Sequence, residues 1–287
     1  MDEFTVVLRA RDLVQRVKSD SIPVPVELYL QAVKCTLKIG DDLKGDEAGY
    51  SFPHKDGHYI VVNGKDSQQR QRFTILHEIA HIELGLPSDH AGSPSWSYAK
   101  RSQNEIFCDV FASELLLPYR LFKPFVDKAT IGFAALDEIA RTFDASVTAT
   151  GSRFALASDV PCAFILSEGG RIKYASRSKS LREGKSWITP GTTLPSTSSS
   201  ADVRKGKRIE DVREVAADVW FSDWRRGGVL LEEARHLGRF DQTITLLWFE
   251  DEELPNDGDV DNDNEDEEIG LKPLDGDLPW PGKRRRR

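Results

Sequence analysis

The chain has 287 residues, of which 39% are hydrophobic, and a net charge of −8 at pH 7; that is enough apolar material for two domains with real cores. No stretch approaches the roughly 18 apolar residues of a membrane-spanning helix, and the opening MDEFTVVLRARDL lacks a basic flank followed by an apolar run, so a cytoplasmic protein is expected. Cys35, Cys108 and Cys162 are odd in number, widely spaced and without a CxxC pair, which excludes a disulfide framework and fits a reducing compartment.

In chain order, the first clear element is the β-like run Tyr59, Ile60, Val61, Val62. Ser67 then offers an N-cap, and Gly85 with Pro87 a stop, so the spacing predicts one helix over 68–84. On it Phe73, Leu76 and Ala80 form one apolar stripe and Ile75, Ile79 and Ile82 another, which predicts a buried helix. Between the stripes lies HEIAH, His77 to His81. Residues four apart share a helix face about 6 Å apart, so both imidazoles can reach one zinc ion. Glu78 sits one step around, where its carboxylate can act on water as a general base without itself being a ligand. A buried histidine without a partner is costly, so two at this spacing call for a shared one.

A zinc site needs a third protein ligand. Ile106, Phe107, Val110, Phe111 and Leu115 recur at helical spacing and predict a helix over 103–117, ending before Pro118. Glu105 and Asp109 share one face of it, while Glu114 falls on the opposite side. Glu105 is taken as the third ligand, and Asp109 as the group that orients a histidine or closes the site. Cys108 reads as a small buried side chain, because a catalytic zinc keeps one position open. Tyr98 and Arg101, between the two helices, are candidates for stabilising an oxyanion.

Further along, Leu136, Ile139, Ala140 and Phe143 mark a short helix, 144–146 a turn and 147–156 a second helix, resembling a helix-turn-helix. The second helix offers Arg153 as its one cation and has Gly151 inside it, which favours packing over DNA reading. From Pro161 the pattern changes to strands: CAFILS and RIKYAS flank Gly169-Gly170 as a hairpin. A Ser/Thr-rich loop with Arg204, Lys205, Lys207 and Arg208 follows, then a helix over 209–224, and GVLLEEA and QTITLLWFE read as two more strands. Residues 1–249 carry equal numbers of acidic and basic residues, so the whole net charge lies from Glu250 onward. There 12 of the 19 residues from Glu250 to Glu268 are acidic and the sequence closes on Lys283 and four arginines. Such blocks repel themselves and bury nothing, which predicts a solvated, disordered tail.

The stretch YIVVNGKDSQQRQRFTILHEIAH, followed by NEIFCDVFASELLLP, resembles the ImmA/IrrE family of zinc metallopeptidases over roughly residues 20 to 125. The shared signature is a strand ending in Asn, an Arg-Phe-Thr lead into the metal helix, and a later Glu-containing helix ending in Leu-Leu-hydrophobic-Pro. Gly85 departs from many members, which have a histidine there, though that position is not a primary ligand. The resemblance implies zinc ligands at His77, His81 and Glu105, with Mn²⁺ an acceptable substitute, and Glu78 as catalytic base. It also implies a helix-turn-helix transcriptional repressor as the protein substrate, cut to derepress stress-response or mobile-element genes. In longer members a GAF-type α/β sensor domain follows, and residues 159–249 resemble it.

The expected fold class is α+β: a zincin-like metallopeptidase domain at 1–127, a helix-turn-helix-like segment at 128–158, a GAF-like sensor domain at 159–249 and a disordered acidic tail at 250–287. The rival reading is a regulator that binds DNA or sequesters a repressor, with the metal only structural. Direct nucleic-acid binding and membrane association are not expected, and the oligomeric state is left open.

Overall fold

The computed structural model describes residues 1–41, 43, 47–87, 102–207, 212–238, 241–250 and 254–255. The acidic tail beyond Pro255, with the expectation of disorder, lies outside them, as do Tyr98 and Arg101. Helices α1 (Glu3–Val17) and α2 (Val26–Ala32) lead into strands β1 (Cys35–Gly40), β2 (Gly49–His54) and β3 (Gly57–Asn63). β1 runs parallel to β3 and β2 antiparallel to it, in the order β1-β3-β2. Two long helices follow, α3 (Gln68–Leu84) and α4 (Gln103–Leu116), packed on each other. Then come α5 (Tyr119–Lys128), α6 (Phe133–Thr142) and α7 (Val147–Ala157).

The bounds of α3 follow from its caps. Ser67 in extended backbone accepts from Arg70 N, and Gly85 ends the helix at φ 65°, a left-handed conformation that costs a residue without Cβ nothing. α4 is capped the same way by Ser102 accepting from Glu105 N. Burial overrides amphipathicity here: from Thr74 to His81 every residue of α3 is buried, the charged ones included. Close approach to the small sheet explains how. A Cβ on Gly49 would lie 2.7 Å from both Thr74 Cγ2 and Val61 O, so β2 presses on α3 where only glycine fits.

After α7 come β4 (Cys162–Glu168), β5 (Arg171–Arg177), α8 (Lys179–Glu183), α9 (Ser199–Arg204), β6 (Arg213–Ala216), β7 (Val229–His236) and β8 (Gln242–Trp248). The five strands make one antiparallel sheet in the order β5-β4-β8-β7-β6. Both faces of its centre are covered. Phe164, Leu166, Ile244, Leu246 and Trp248 join a core that begins at Val6, while Ala163, Ile165, Leu230 and Leu247 build a second core with Trp220, Phe221 and Phe249. The first core thus runs without a break past residues 127 and 158. The fold class is α+β as expected.

Two local expectations are corrected. The stretch read as a helix over 209–224 instead holds β6 and a 3-10 turn at Ala217–Val219, with 208–211 outside the described residues. β6 pairs with β7, so sheet hydrogen bonds claimed residues whose spacing alone allowed a helix. The serine-rich loop contains α9, capped by Ser198 accepting from Ala201 N.

The helix-turn-helix-like pair, α6 and α7, turns at Asp144 (φ 48°). The second helix lies against the sheet: a Cβ on Gly151 would come within 2.2 Å of the buried Phe164 ring. Arg153 is drawn inward to Glu114 of α4 in a close ion pair, their side chains 12% and 1% exposed. Arg11 lies 3.4 Å from the same carboxylate, which also accepts from Tyr119 N. Among the described residues no helix is long and apolar enough to cross a membrane.

Candidate metal centre

α3 carries His77 and His81 on one face, and α4, packed against it, delivers Glu105. His77 Nε2 and His81 Nε2 are 3.1 Å apart; Glu105 Oε2 is 3.1 Å from the first and Oε1 3.4 Å from the second. One donor atom from each residue fits within 4.8 Å of the others. The sequence-predicted trio is therefore brought together from helices 28 residues apart.

The far side of each ring decides what the near side offers. His77 Nδ1 lies 3.0 Å from Asp109 Oδ1, and His81 Nδ1 lies 3.2 Å from the carbonyl of Leu86. A carbonyl oxygen only accepts, as does an ionised carboxylate, so both Nδ1 atoms carry the proton and both Nε2 atoms face inward as lone pairs. Two lone pairs and a carboxylate then converge on one point, and Glu105 Oε1 is buried without a hydrogen-bond partner. Such a cluster demands a cation. Two imidazole nitrogens and a carboxylate oxygen are the donor set of a divalent metal such as zinc, so these residues fit one. When a proton fills the space instead, His77 first and His81 second hold the Glu105 carboxyl well below the usual carboxylate range, so Glu105 is a charged donor.

Asp109, predicted to orient a histidine, lies within hydrogen-bonding distance of His77 Nδ1. Cys108, between Glu105 and Asp109, is fully buried, and burial followed by the charge of Glu105 pushes its thiol up, away from the thiolate a metal needs. The side chains of His81 and His77 are 2% and 11% exposed, against 18% for Glu105 and 25% for Asp109, so the cluster opens toward solvent on the α4 side.

Glu78 points toward β2 and is 1% exposed; its Oε2 accepts from Ser51 Oγ at 2.8 Å. Neither Ser51 nor the Leu86 carbonyl was found from the sequence. No spacing rule links β2 to α3 across 27 residues, and a backbone carbonyl leaves no residue-type signal. Arg72, from the Arg-Phe-Thr lead, is buried and donates to the carbonyl of Val24 at 2.6 Å, tying the start of α3 to the segment before α2.

A buried HExxH helix, a glutamate from the next helix and an adjoining small sheet define a metallopeptidase-type domain of α+β class. Residues 32–154 match the family model described as the IrrE N-terminal-like domain. The resemblance of the chain to the ImmA/IrrE family rests on that domain, which spans less than half of the sequence. It is similar to the radiation response metalloprotease IrrE of Deinococcus deserti, with 29% identity over 154 residues, 48% of this chain and 54% of that one. The chain thus matches about half the length of this curated relative. A solved structure described as a Mycobacterium tuberculosis transcriptional regulator superposes with a TM-score of 0.56 over 86% of this chain and 76% of that one. At 14% identity that likeness speaks for the fold alone.

Proposed function

We propose that the protein is a zinc-dependent endopeptidase and that its substrate is a helix-turn-helix transcriptional repressor, whose cleavage derepresses stress-response or mobile-element genes. The observation that carries the peptidase reading is the convergence of His77, His81 and Glu105, with the buried Glu78 next to His77 in the chain. His77, His81 and Glu105 would hold the metal, with Mn²⁺ able to replace zinc. When bound, zinc supplies a Lewis acid that polarises a carbonyl and makes water nucleophilic near neutral pH.

The remaining work falls to the chain. Glu78 takes a proton from the attacking water at a carboxylate oxygen and returns it to the leaving amine. Asp109 keeps His77 in the tautomer that turns Nε2 inward, and the Leu86 carbonyl does the same for His81. β2 has β3 on one side only among the described residues, so its outer edge offers backbone donors and acceptors to an extended peptide. That supports a protein substrate bound as an added strand. The sheet domain at 159–249 would receive the signal that permits cleavage, in a cytoplasmic setting.

Mixing the full chain with the repressor encoded beside it, with zinc, with manganese and with chelator, tests the reading. New termini in the partner's mass spectrum, lost with chelator and with Glu78→Gln, are expected. An unchanged partner mass in a stable complex would instead mean sequestration.

A further inference from the structure

A glutamate general base must present its carboxylate in a set orientation, yet the terminal torsion of glutamate is broad and twofold, so the side chain alone does not fix it. In this protein one such contact comes from another element. Ser51 lies on β2 and its hydroxyl donates to Glu78 Oε2 at 2.8 Å, across 27 residues of sequence. Glu78 has further interactions, so Ser51 is one of its contacts.

The contact is held in register by a second one. Gly49 and Ser51 are two apart on β2 and share a face, and they meet Thr74 and Glu78, four apart on α3. Two strand residues advance about 6.6 Å and four helix residues about 6 Å, so the elements match over this distance. A Cβ on Gly49 would lie 2.7 Å from Thr74 Cγ2, so the β2 backbone approaches α3 closely two residues before Ser51. Ser51 is thereby set over Glu78 by the backbone.

We propose that Ser51 is a positioning residue for the reaction: delivered by the edge strand β2, its hydroxyl fixes the rotation of the carboxylate of Glu78, the neighbour of His77 in the chain. The inference rests on the peptidase reading above and deepens it. Because β2 is also the strand with an open edge among the described residues, a peptide added there would steady Ser51 and hence the base. Binding and proton transfer would then be coupled through one side chain.

The test uses the full, zinc-loaded chain and acetohydroxamate, a small chelating probe that gives up a proton to a neighbouring carboxylate and needs no protein substrate. Its affinity is measured by calorimetry for the wild type and for Glu78→Gln, Ser51→Thr and Ser51→Val, with zinc content and thermal midpoint recorded for each. Thr and Val have nearly the same shape and differ in the hydroxyl. Expected is a loss of affinity of about tenfold in Ser51→Val, in the same direction as Glu78→Gln, with Ser51→Thr near wild type and zinc content unchanged throughout. With the repressor as substrate, Ser51→Val is expected to lower kcat about tenfold and leave KM within twofold. Wild-type affinity in Ser51→Val while Glu78→Gln is weakened would overturn the role of Ser51 and leave the peptidase reading standing. Full affinity in Glu78→Gln, or no bound zinc in the wild type, would overturn both. Equal losses in Ser51→Thr and Ser51→Val would also count against the hydroxyl and point to packing.

Discussion

Asp109 Oδ1 lies 3.0 Å from His77 Nδ1, so a carboxylate one turn after Glu105 leaves the Nε2 of His77 to face Glu105 and His81. The same helix that closes the cluster through Glu105 thereby orients the other side of it. Replacing Asp109 with Ala should lower zinc affinity by about 10- to 100-fold without unfolding the chain. Competition with a chromophoric chelator measures this, and circular dichroism checks the fold.

Glu78→Gln keeps the shape and the capacity to accept from Ser51 but cannot take a proton. Turnover should fall by at least about 10²-fold, with zinc stoichiometry intact. A variant that still cuts the partner at wild-type rate would remove Glu78 from the mechanism.

Arg153 is the one cation on the second helix of the helix-turn-helix-like pair, and it is drawn to Glu114. Arg153→Met would leave a buried carboxylate with Arg11 and the Tyr119 amide as its remaining partners. The expected cost is about 3 kcal/mol by urea denaturation. Adding Glu114→Gln should recover part of it, since the uncompensated charge is then gone.

Gly151 lies inside α7, where alanine would ordinarily stabilise by up to about 1 kcal/mol. The Phe164 ring reverses that sign. A Cβ at 2.2 Å from a fully buried ring forces α7 away from β4, so Gly151→Ala should destabilise by about 1–3 kcal/mol and lower the thermal midpoint.

Burial raises the Cys162 thiol from 9.0 to about 12 and that of Cys35 to about 11. The folded state therefore holds these protons more tightly than the unfolded chain. The stability this contributes is complete below pH 9 and is lost as pH rises toward 11 and 12. Denaturation midpoints should fall across that window, and less so in Cys162→Ala. At pH 8 a thiol reagent should react slowly with native protein and with all three cysteines in denaturant.

The sequence alone determined the helix over 68–84 with both its ends, the three residues that meet, and the hairpin at Gly169-Gly170. These are local: a cap, a glycine stop, a four-residue spacing and a two-residue turn are set by backbone geometry within a few residues. The choice of Glu105 over Glu114 was also legible, because helical periodicity separates their faces.

Tertiary structure decided the rest. Residues 209–224 allowed a helix by spacing, and β7 drew part of them into a sheet, a pairing no local pattern specifies. Ser51 reaches Glu78, the Leu86 carbonyl reaches His81, and Arg153 reaches Glu114 only because separate elements pack. Helical spacing can bring two imidazoles to one side. What turns their lone pairs inward, and what holds the Glu78 carboxylate, is supplied by atoms from a strand, a loop and a second helix that become neighbours only when the core closes.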